Sequence, residues 1–155
     1  MTPAINTAKK SKISYTVHEY THESASQAYG REAAQKLSLP ENRVFKTLVV
    51  SFSTKEMAVG IIPVSSMLNM KLIAKAAGEK KASMAKPSDV ERSTGYVLGG
   101  VSPLGQKKRL RTFIDSSAEN FSTIYVSAGR RGLEIELNPV DLKKLTNGKF
   151  TTLCI

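Results

Sequence analysis

The amino-acid sequence predicts an α/β (α+β) fold, in which a mixed, mostly antiparallel sheet is flanked by helices. The first observation is a length of 155 residues with 41% hydrophobic residues, which suits a single domain over residues 1–155. The second is that strand-like and helix-like apolar patterns both occur but do not alternate regularly. The third is that no repeat and no Pro/Gly/Ser-rich linker divides the chain.

The first third of the sequence predicts two helices around one strand. Thr2 can cap a helix that has Pro3 at its first position, and we expect this helix to end near Lys12. The segment YTVHEY alternates between residue types, as a half-buried strand does. A second helix is predicted around Ser26–Leu37, from the helical spacing of its apolar residues.

Two apolar runs in the middle of the chain predict a β-hairpin. The runs VFKTLVVSF and MAVGIIPV are separated by STKE, a link short enough to join antiparallel strands. Asn69 can cap the next helix and Gly78 can terminate it. An apolar stripe supports that helix, formed by Leu68, Leu72, Ile73 and Ala76. Ser88 and Glu91 have the spacing of a capping box, so PSDVERST is predicted to open a further helix.

The last third of the sequence is dominated by predicted strands. These are the segments GYVLG, RTFID, TIYVSAG and GLEIEL. Pro139 is predicted to begin a short helix that runs through Leu145, and FTTLCI is predicted to close the fold as a strand.

The charge of the chain indicates a polyanionic partner. Lys and Arg outnumber Asp and Glu by 23 to 13, which gives a net charge of +10. Nucleic acid is favoured over a membrane surface, because no apolar run approaches the ~20 residues that span a bilayer and MTPAINTAKKSK does not resemble a signal peptide. The single cysteine, Cys154, excludes an intrachain disulfide, fits a reducing cytoplasm and has no sequence neighbour to activate it as a nucleophile.

Lys46 interrupts the strand-like segment RVFKTLVV, where a charged residue is unexpected. Alternation places Val44, Lys46 and Leu48 on one face of the strand. Three interpretations are open from the residues alone. Lys46 extends its ammonium group to water, or it binds a phosphate or carboxylate in a pocket, or it forms a Schiff base.

Two glycine-rich loops beside cations predict a pocket that is lined by main-chain donors. In GGVSPLGQKKRLR, residues 99–111, Gly99, Gly100 and Pro103 let backbone amides approach a ligand and bind an oxyanion. The second loop is SAGRRG, residues 127–132. Basic side chains beside the two loops are predicted to contact a nucleic-acid backbone: Lys107, Lys108, Arg109, Arg130 and Arg131. The alternative for each loop is a turn followed by a solvated charged face.

Motifs for metal, cofactor or triad chemistry are not evident in the sequence. His18 and His22 lack further ligands at a familiar spacing, so we predict no metal site and no cofactor. There is neither a P-loop nor a GxSxG elbow. If the protein is an enzyme, positioning and backbone electrostatics therefore have to carry the reaction.

These motifs resemble those of the YbaK-type aminoacyl-tRNA deacylases, which are related to the editing domain of prolyl-tRNA synthetase. The resemblance runs essentially end to end, through MTPAI, HEY, RVFKTL, STGYVLGGVSPLGQKKR and IYVSAGRRGLEIEL. It implies the fold of that editing domain, and among its members the sequence is most similar to deacylases that remove cysteine from proline tRNA.

The resemblance also implies roles for individual residues. Lys46 matches the most characteristic functional residue of the family, and Gly99 and Gly100 begin the loop whose backbone lies against the aminoacyl carbonyl. Further positions implied in substrate binding are Tyr20, Tyr29, Thr47, Ser102, Pro103, Ser127, Gly129 and Glu134. Relatives often carry Phe in place of Tyr29 and Asp in place of Glu134.

The mechanism implied by the resemblance is substrate-assisted. The thiol of the misattached cysteine attacks its own ester carbonyl, which forms a small cyclic thioester and releases the tRNA. The implied partners are the acceptor end of tRNA(Pro) and prolyl-tRNA synthetase in a ternary complex, in the cytoplasm. Three alternatives stay open: a deacylase for another mischarged tRNA such as Ala-tRNA(Pro), a non-catalytic tRNA-binding module, and a Schiff-base enzyme.

Overall fold

The structure of the protein is a computed structural model that describes residues 1–23 and 29–155. The helices in these residues are α1 (Pro3–Lys10), α2 (Tyr29–Lys36), α3 (Met70–Ala77), α4 (Pro87–Thr94) and α5 (Pro139–Thr146). The strands are β1 (Tyr15–Glu19), β2 (Phe45–Phe52), β3 (Met57–Pro63), β4 (Ala82–Met84), β5 (Arg111–Asp115), β6 (Ile124–Arg130), β7 (Leu133–Leu137) and β8 (Lys149–Thr151). Two short 3-10 helices lie at Glu41–Arg43 and Ser116–Asn120.

The strands form two sheets. The larger sheet has the order β4-β2-β3-β5-β8, and the smaller one has the order β1-β7-β6. Strand pairing is antiparallel except between β3 and β5 and between β5 and β8. The predicted α+β class with mostly antiparallel pairing is therefore confirmed, although two sheets replace the single one we expected. An isolated bridge between Val44 and Tyr125 links the sheets immediately before β2 begins.

The two faces of β2 pack against different parts of the molecule. Phe45 and Val49 point into a core that contains residues of α1 and of both sheets. Val50 and Phe52 point to the opposite face, where they pack with Ile73 of α3. Because side chains alternate along a strand, Lys46 lies on the same face as Val50 and Phe52, but nearer the start of β2. At that end the neighbouring element is α2, whose Ala33 and Ala34 pack with Val44.

Two of the three predicted helix N-caps are present in the structure. The Thr2 hydroxyl accepts a hydrogen bond from the Ile5 N–H, and Pro3 is the first residue of α1, which ends at Lys10 and not near Lys12. Asn69 caps α3 and Gly78 terminates it, as predicted. The capping box of Ser88 and Glu91 was wrong. Pro87 occupies the first position of α4, so Ser88 already lies inside the first turn.

Three other predictions differ from the structure. The segment GYVLG is not a strand, because Gly95 and Gly99 both adopt positive φ angles that turn the chain. Strand β4 was not predicted. The buried face of α3 comprises Ile73, Ala74 and Ala77, so the stripe is shifted from the predicted one. The predicted start of the second helix at Ser26 lies outside the described residues, and its described part is α2.

None of the helices that the structure describes is long or apolar enough to cross a membrane.

Candidate active site

A cleft of about 470 Å³ opens where the two sheets meet. The start of β2 forms one wall, and residues 64–67, which follow β3, continue it. The first turn of α2 lies opposite the loop at 98–101, and β6 and β7 each contribute one residue. Predicted site residues that line the cleft are Tyr20, Tyr29, Lys46, Thr47, Gly99, Ser127 and Glu134. Seven positions from six separate segments of the chain are thus brought together by the fold.

Lys46 is half-buried in the wall of this cleft. Burial is the largest cause that lowers the pKa of its amine. The neighbouring Arg31 also lowers this pKa, whereas Cys154 raises it. Both Lys46 and Arg31 line the cleft, which gives this end of it a positive charge. Such a pair of cations suits an anionic or strongly polar ligand. A lysine that only extended into bulk water would not show this depression of its pKa by burial.

Thr47 presents a second polar group at the same wall. Its Oγ1 is buried and has no hydrogen-bond partner among residues 1–23 and 29–155. A buried hydroxyl without a partner costs roughly 1–3 kcal/mol, so such groups are usually satisfied by protein, water or ligand. Thr47 lines the cleft, but its Oγ1 is itself shielded from solvent.

Glu134 and Tyr20 form the polar side of the cleft that is contributed by the smaller sheet. Glu134 pairs with His18 on one neighbouring strand and Ser127 on the other. Burial raises the pKa of the Glu134 carboxyl to about 8, so the acid is mainly protonated at neutral pH. Burial, followed by the proximity of Glu134, raises the pKa of the Tyr20 hydroxyl to about 12. Both groups are therefore neutral and able to donate hydrogen bonds.

The first glycine loop enters the cleft at Gly99. Gly99 has a φ of +86°, and a Cβ there would lie 2.6 Å from the Arg131 Nε and 2.8 Å from the Tyr29 ring. Gly100 lies differently from our expectation. Its N–H already donates to the Val97 carbonyl at 2.9 Å, and its Cα faces the backbone of Arg130. Only the Gly99 part of the predicted donor pair lines the cleft.

Three of the predicted substrate-binding residues support the loops and do not line the cleft. Ser102 is fully buried, and its Oγ accepts a hydrogen bond from the Leu104 N–H. Pro103 is also buried. Gly129, at φ +109°, packs so closely that a Cβ would meet the Tyr96 ring at 2.8 Å. These residues therefore shape the two loops, and their direct contact with substrate has no support in this geometry.

The predicted basic residues fall into two groups. All five are exposed, and they differ in the contacts of their side chains. The backbone N–H groups of Lys107 and Lys108 donate to carbonyls in the last turn of α4. The Arg131 side chain is engaged with the protein: it donates to the Leu98 carbonyl and stacks on the Tyr29 ring. None of the five lines the cleft.

The two histidines are paired with carboxylates. The His18 Nε2 lies 2.9 Å from a Glu136 oxygen, and the His22 Nδ1 lies 2.6 Å from a Glu32 oxygen. Within the described parts of the chain, no three potential metal ligands come together. No histidine of those parts lines the cleft, so the serines there have no imidazole base beside them.

Arg31 and residues 64–67 line the cleft but were not predicted as site residues. Residues 64–67 could have been predicted, because the hairpin pairs Lys46 with Ile62. The residues that follow β3 must therefore lie close to the start of β2. Arg31 lies near the start of α2, and nothing in the sequence indicates that this turn approaches Lys46.

The mixed fold and a cationic cleft with a main-chain loop are the features of a protein that binds a polar or anionic ligand. The profile of the aminoacyl-tRNA editing domain family matches residues 22–145, and the chain belongs to this family. It is therefore an aminoacyl-tRNA editing enzyme, a deacylase whose substrates are aminoacyl-tRNAs. The predicted family, fold class and enzyme class are confirmed.

Similar proteins extend over nearly the whole chain. A protein of Enterococcus faecalis with the provisional name Cys-tRNA(Pro)/Cys-tRNA(Cys) deacylase EbsC is 38% identical over 98% of this chain and 92% of its own. The YwhH protein of Bacillus subtilis is 26% identical over 85% and 83% of the two chains. A crystal structure described as a provisional trans-editing enzyme for prolyl-tRNA synthetase has a TM-score of 0.85 and 20% identity, over 100% of this chain and 99% of the other.

Proposed function

We propose that this protein removes cysteine from mischarged Cys-tRNA(Pro) in trans. The observation that carries the proposal is the placement of Lys46 and Gly99 in one cleft that holds no described histidine. Such a cleft can position an acylated ribose and stabilise negative charge, and none of the described residues that line it is a histidine that could act as a base. The name of the Enterococcus faecalis relative supports cysteine as the amino acid removed.

A substrate with its own nucleophile fits this cleft. In the proposed reaction, the cysteine sulfur attacks the ester carbonyl of the same aminoacyl group. The bond from that carbonyl to the ribose oxygen breaks, and the ribose oxygen takes the proton that the thiol gives up. The product is a four-membered cyclic thioester, which water then opens to free cysteine. Holding sulfur and carbonyl in contact can contribute ~7–11 kcal/mol in favourable cases.

The residues of the cleft have separate roles in this proposal. Lys46 holds the adenosine end of the acceptor, beside the ester. The Gly99 part of the first glycine loop faces the carbonyl oxygen as negative charge develops on it. Thr47 forms part of the wall next to Lys46, and Glu134 and Ser127 form a polar part of the cleft. Tyr20 and Tyr29 border the aminoacyl group.

This chemistry separates cysteine from similar amino acids without relying on pocket size. Serine, alanine and proline have no thiol, so the correct product Pro-tRNA(Pro) is spared. A binding pocket alone discriminates poorly between near-isosteres. The attacking sulfur therefore supplies the selectivity that the cleft volume does not.

In this proposal, exposed cations bind the tRNA and a partner protein selects which tRNA is bound. Lys107, Lys108, Arg109 and Arg130 are available for phosphate contacts, which carry no sequence information by themselves. We propose that prolyl-tRNA synthetase, bound to the same tRNA in the cytoplasm, supplies the choice of tRNA. The crystal structure described as a trans-editing enzyme for that synthetase supports this partner by analogy of fold.

The test is deacylation of Cys-tRNA(Pro) by the wild type and by Lys46→Ala. We expect kcat/KM to fall by about 10²-fold, because the charge next to the reacting ester is lost. Lys10→Ala is the matched control, since it removes the same charge from an exposed position in the last turn of α1. A Lys46→Ala protein that keeps its turnover would contradict this role of Lys46. A wild type that releases no cysteine, together with a Lys46→Ala protein that only binds tRNA more weakly, would favour a binding module.

A further inference from the structure

Arg131 holds the first glycine loop against α2 at the edge of the cleft. Its Nε and Nη2 both donate to the Leu98 carbonyl, at 3.2 and 2.8 Å. Its guanidinium lies over the Tyr29 ring, 4.4 Å from the ring centroid. The turn between β6 and β7, the loop at 98–99 and the first turn of α2 are therefore joined by one side chain.

Gly99 lies inside this contact. The nearest atoms to a Cβ at Gly99 would be the Arg131 Nε at 2.6 Å and two atoms of the Tyr29 ring at 2.8 and 2.9 Å. Arg131 and Tyr29 thus form the surface against which the Gly99 backbone rests. The next residue is fixed by the same turn, because Gly100 faces the backbone of Arg130. The position of the loop in the cleft depends on the β6–β7 turn and on its arginine.

We propose that Arg131 is a positioning residue that holds the Leu98–Gly99 peptide in its place at the cleft, and that it does not serve as a phosphate contact for tRNA. The inference rests on the proposed function, in which Gly99 faces the reacting carbonyl. It goes against our sequence prediction, which grouped Arg131 with Arg130 among the tRNA contacts. Arg130 lacks a described side-chain partner and remains a phosphate contact.

The geometry requires arginine at this position. Two N–H groups of one planar guanidinium meet a single carbonyl oxygen, while the face of the same plane covers an aromatic ring. A lysine ammonium can keep the charge and one hydrogen bond, but it is not planar and its donors do not form a fork. Arg131→Lys therefore preserves attraction to a phosphate and loses the contact that positions the loop.

The experiment compares Arg131→Ala, Arg131→Lys and Arg130→Ala with the wild type in two measurements. The first is hydrogen exchange of the Gly100 amide in the free protein, because this amide donates to the Val97 carbonyl and reports the order of the loop. We expect roughly tenfold faster exchange in both Arg131 variants and no change in Arg130→Ala. Exchange of β2 amides in the same samples shows whether the fold as a whole is retained.

The second measurement is steady-state deacylation of Cys-tRNA(Pro) at several salt concentrations, which gives kcat and the dependence of KM on salt. We expect kcat to fall about 10²-fold in both Arg131 variants, because a misplaced reacting group slows the reaction by about this factor. The salt dependence of KM should be the same as in the wild type. Arg130→Ala should instead raise KM and reduce the slope of log KM against log salt by about 1.

The proposal is overturned if Arg131→Ala leaves Gly100 exchange unchanged, or if it changes only KM and the salt slope while Arg131→Lys behaves as wild type. Should Arg131→Ala not fold, the Arg131→Lys protein decides by the same criteria. If the wild type itself does not release cysteine, the proposed function fails, and the exchange measurement still decides whether Arg131 positions the loop.

Discussion

At the residue scale, Glu134 illustrates how the fold changes the chemistry of a side chain. Strand β7 carries this carboxyl into the cleft, where it lies among Tyr20 and Ser127 with little access to water. Desolvation raises its pKa to about 8. A protonated Glu134 adds no negative charge beside the oxyanion that forms in the proposed reaction. It is therefore compatible with a site whose other end carries the positive charges of Lys46 and Arg31.

Glu134→Gln tests this state through the pH dependence of stability. Between about pH 5 and pH 8 the folded protein keeps a proton that the unfolded chain releases. The wild type therefore loses stability as pH rises through this window, by up to about 1.4 kcal/mol per pH unit. We expect the difference in unfolding free energy between Glu134→Gln and the wild type to shift in favour of the variant as pH rises, as measured by urea denaturation.

The control for that series is Glu91→Gln, at an exposed position on α4, whose profile should run parallel to that of the wild type. A parallel profile for Glu134→Gln as well would show that the buried carboxyl is already ionised in the folded protein.

Single residues also show where sequence reasoning reached the site and where it stopped. Lys46 was found because a charge in an apolar strand violates the local pattern, and Gly99 because glycines mark a special backbone. The engagement of Gly100 with the Val97 carbonyl and of Arg131 with Leu98 was not predicted. The Gly100 contact depends on the closing of one turn, and the Arg131 contact joins segments about 30 residues apart. Residue types alone specify neither contact.

At the scale of elements, Thr2 connects α1 to the second glycine loop. Its Oγ1 accepts a hydrogen bond from the Ile5 N–H at 3.2 Å and donates to the Ala128 carbonyl, one residue before Gly129. Gly129 in turn packs against the Thr2 side chain. The N-cap of the first helix is thus also part of the support for a loop that lies more than 120 residues later.

We expect Thr2→Ala to lower the free energy of unfolding by about 1–2 kcal/mol, because it removes the N-cap and a buried hydrogen bond together. Thr7→Ala is the matched control in the same helix. The Thr7 hydroxyl donates to the Pro3 carbonyl on the exposed side, so its loss should change stability by no more than about 0.5 kcal/mol. Urea denaturation measures both values, and equal effects of the two substitutions would mean that neither the N-cap nor the bond to Ala128 stabilises the fold.

Elements with strong local signals were predictable, and those set by tertiary contacts were not. The β2–β3 hairpin, α1 and α3 carry alternation or caps in the sequence, and the structure contains all three. Strand β4 has three residues and exists because it pairs with the end of β2. The GYVLG segment has strand-like composition, but the glycines at its two ends adopt positive φ angles and form turns.

At the scale of the whole molecule, the site is a consequence of how the two sheets meet. The Val44–Tyr125 bridge aligns the start of β2 with β6, and this brings Lys46 and Thr47 near Ser127 and Glu134. The sequence predicts most of the strands. It does not predict that they form two sheets, because long-range packing determines which strands pair. The net charge of +10 is evident from composition and favours a polyanionic partner.

The central claim is that the substrate's own sulfur cleaves the ester in a cleft that only positions it. The most direct measurement is the deacylation rate of Cys-tRNA(Pro) beside those of Ser-tRNA(Pro) and Ala-tRNA(Pro), with trapping of the released product. We expect rapid release from the cysteinyl substrate alone, with a cyclic thioester as the first product. Equal rates on the cysteinyl and alanyl substrates, with the free amino acid as the first product of both, would contradict the claim and assign the attack to water or to a ribose hydroxyl.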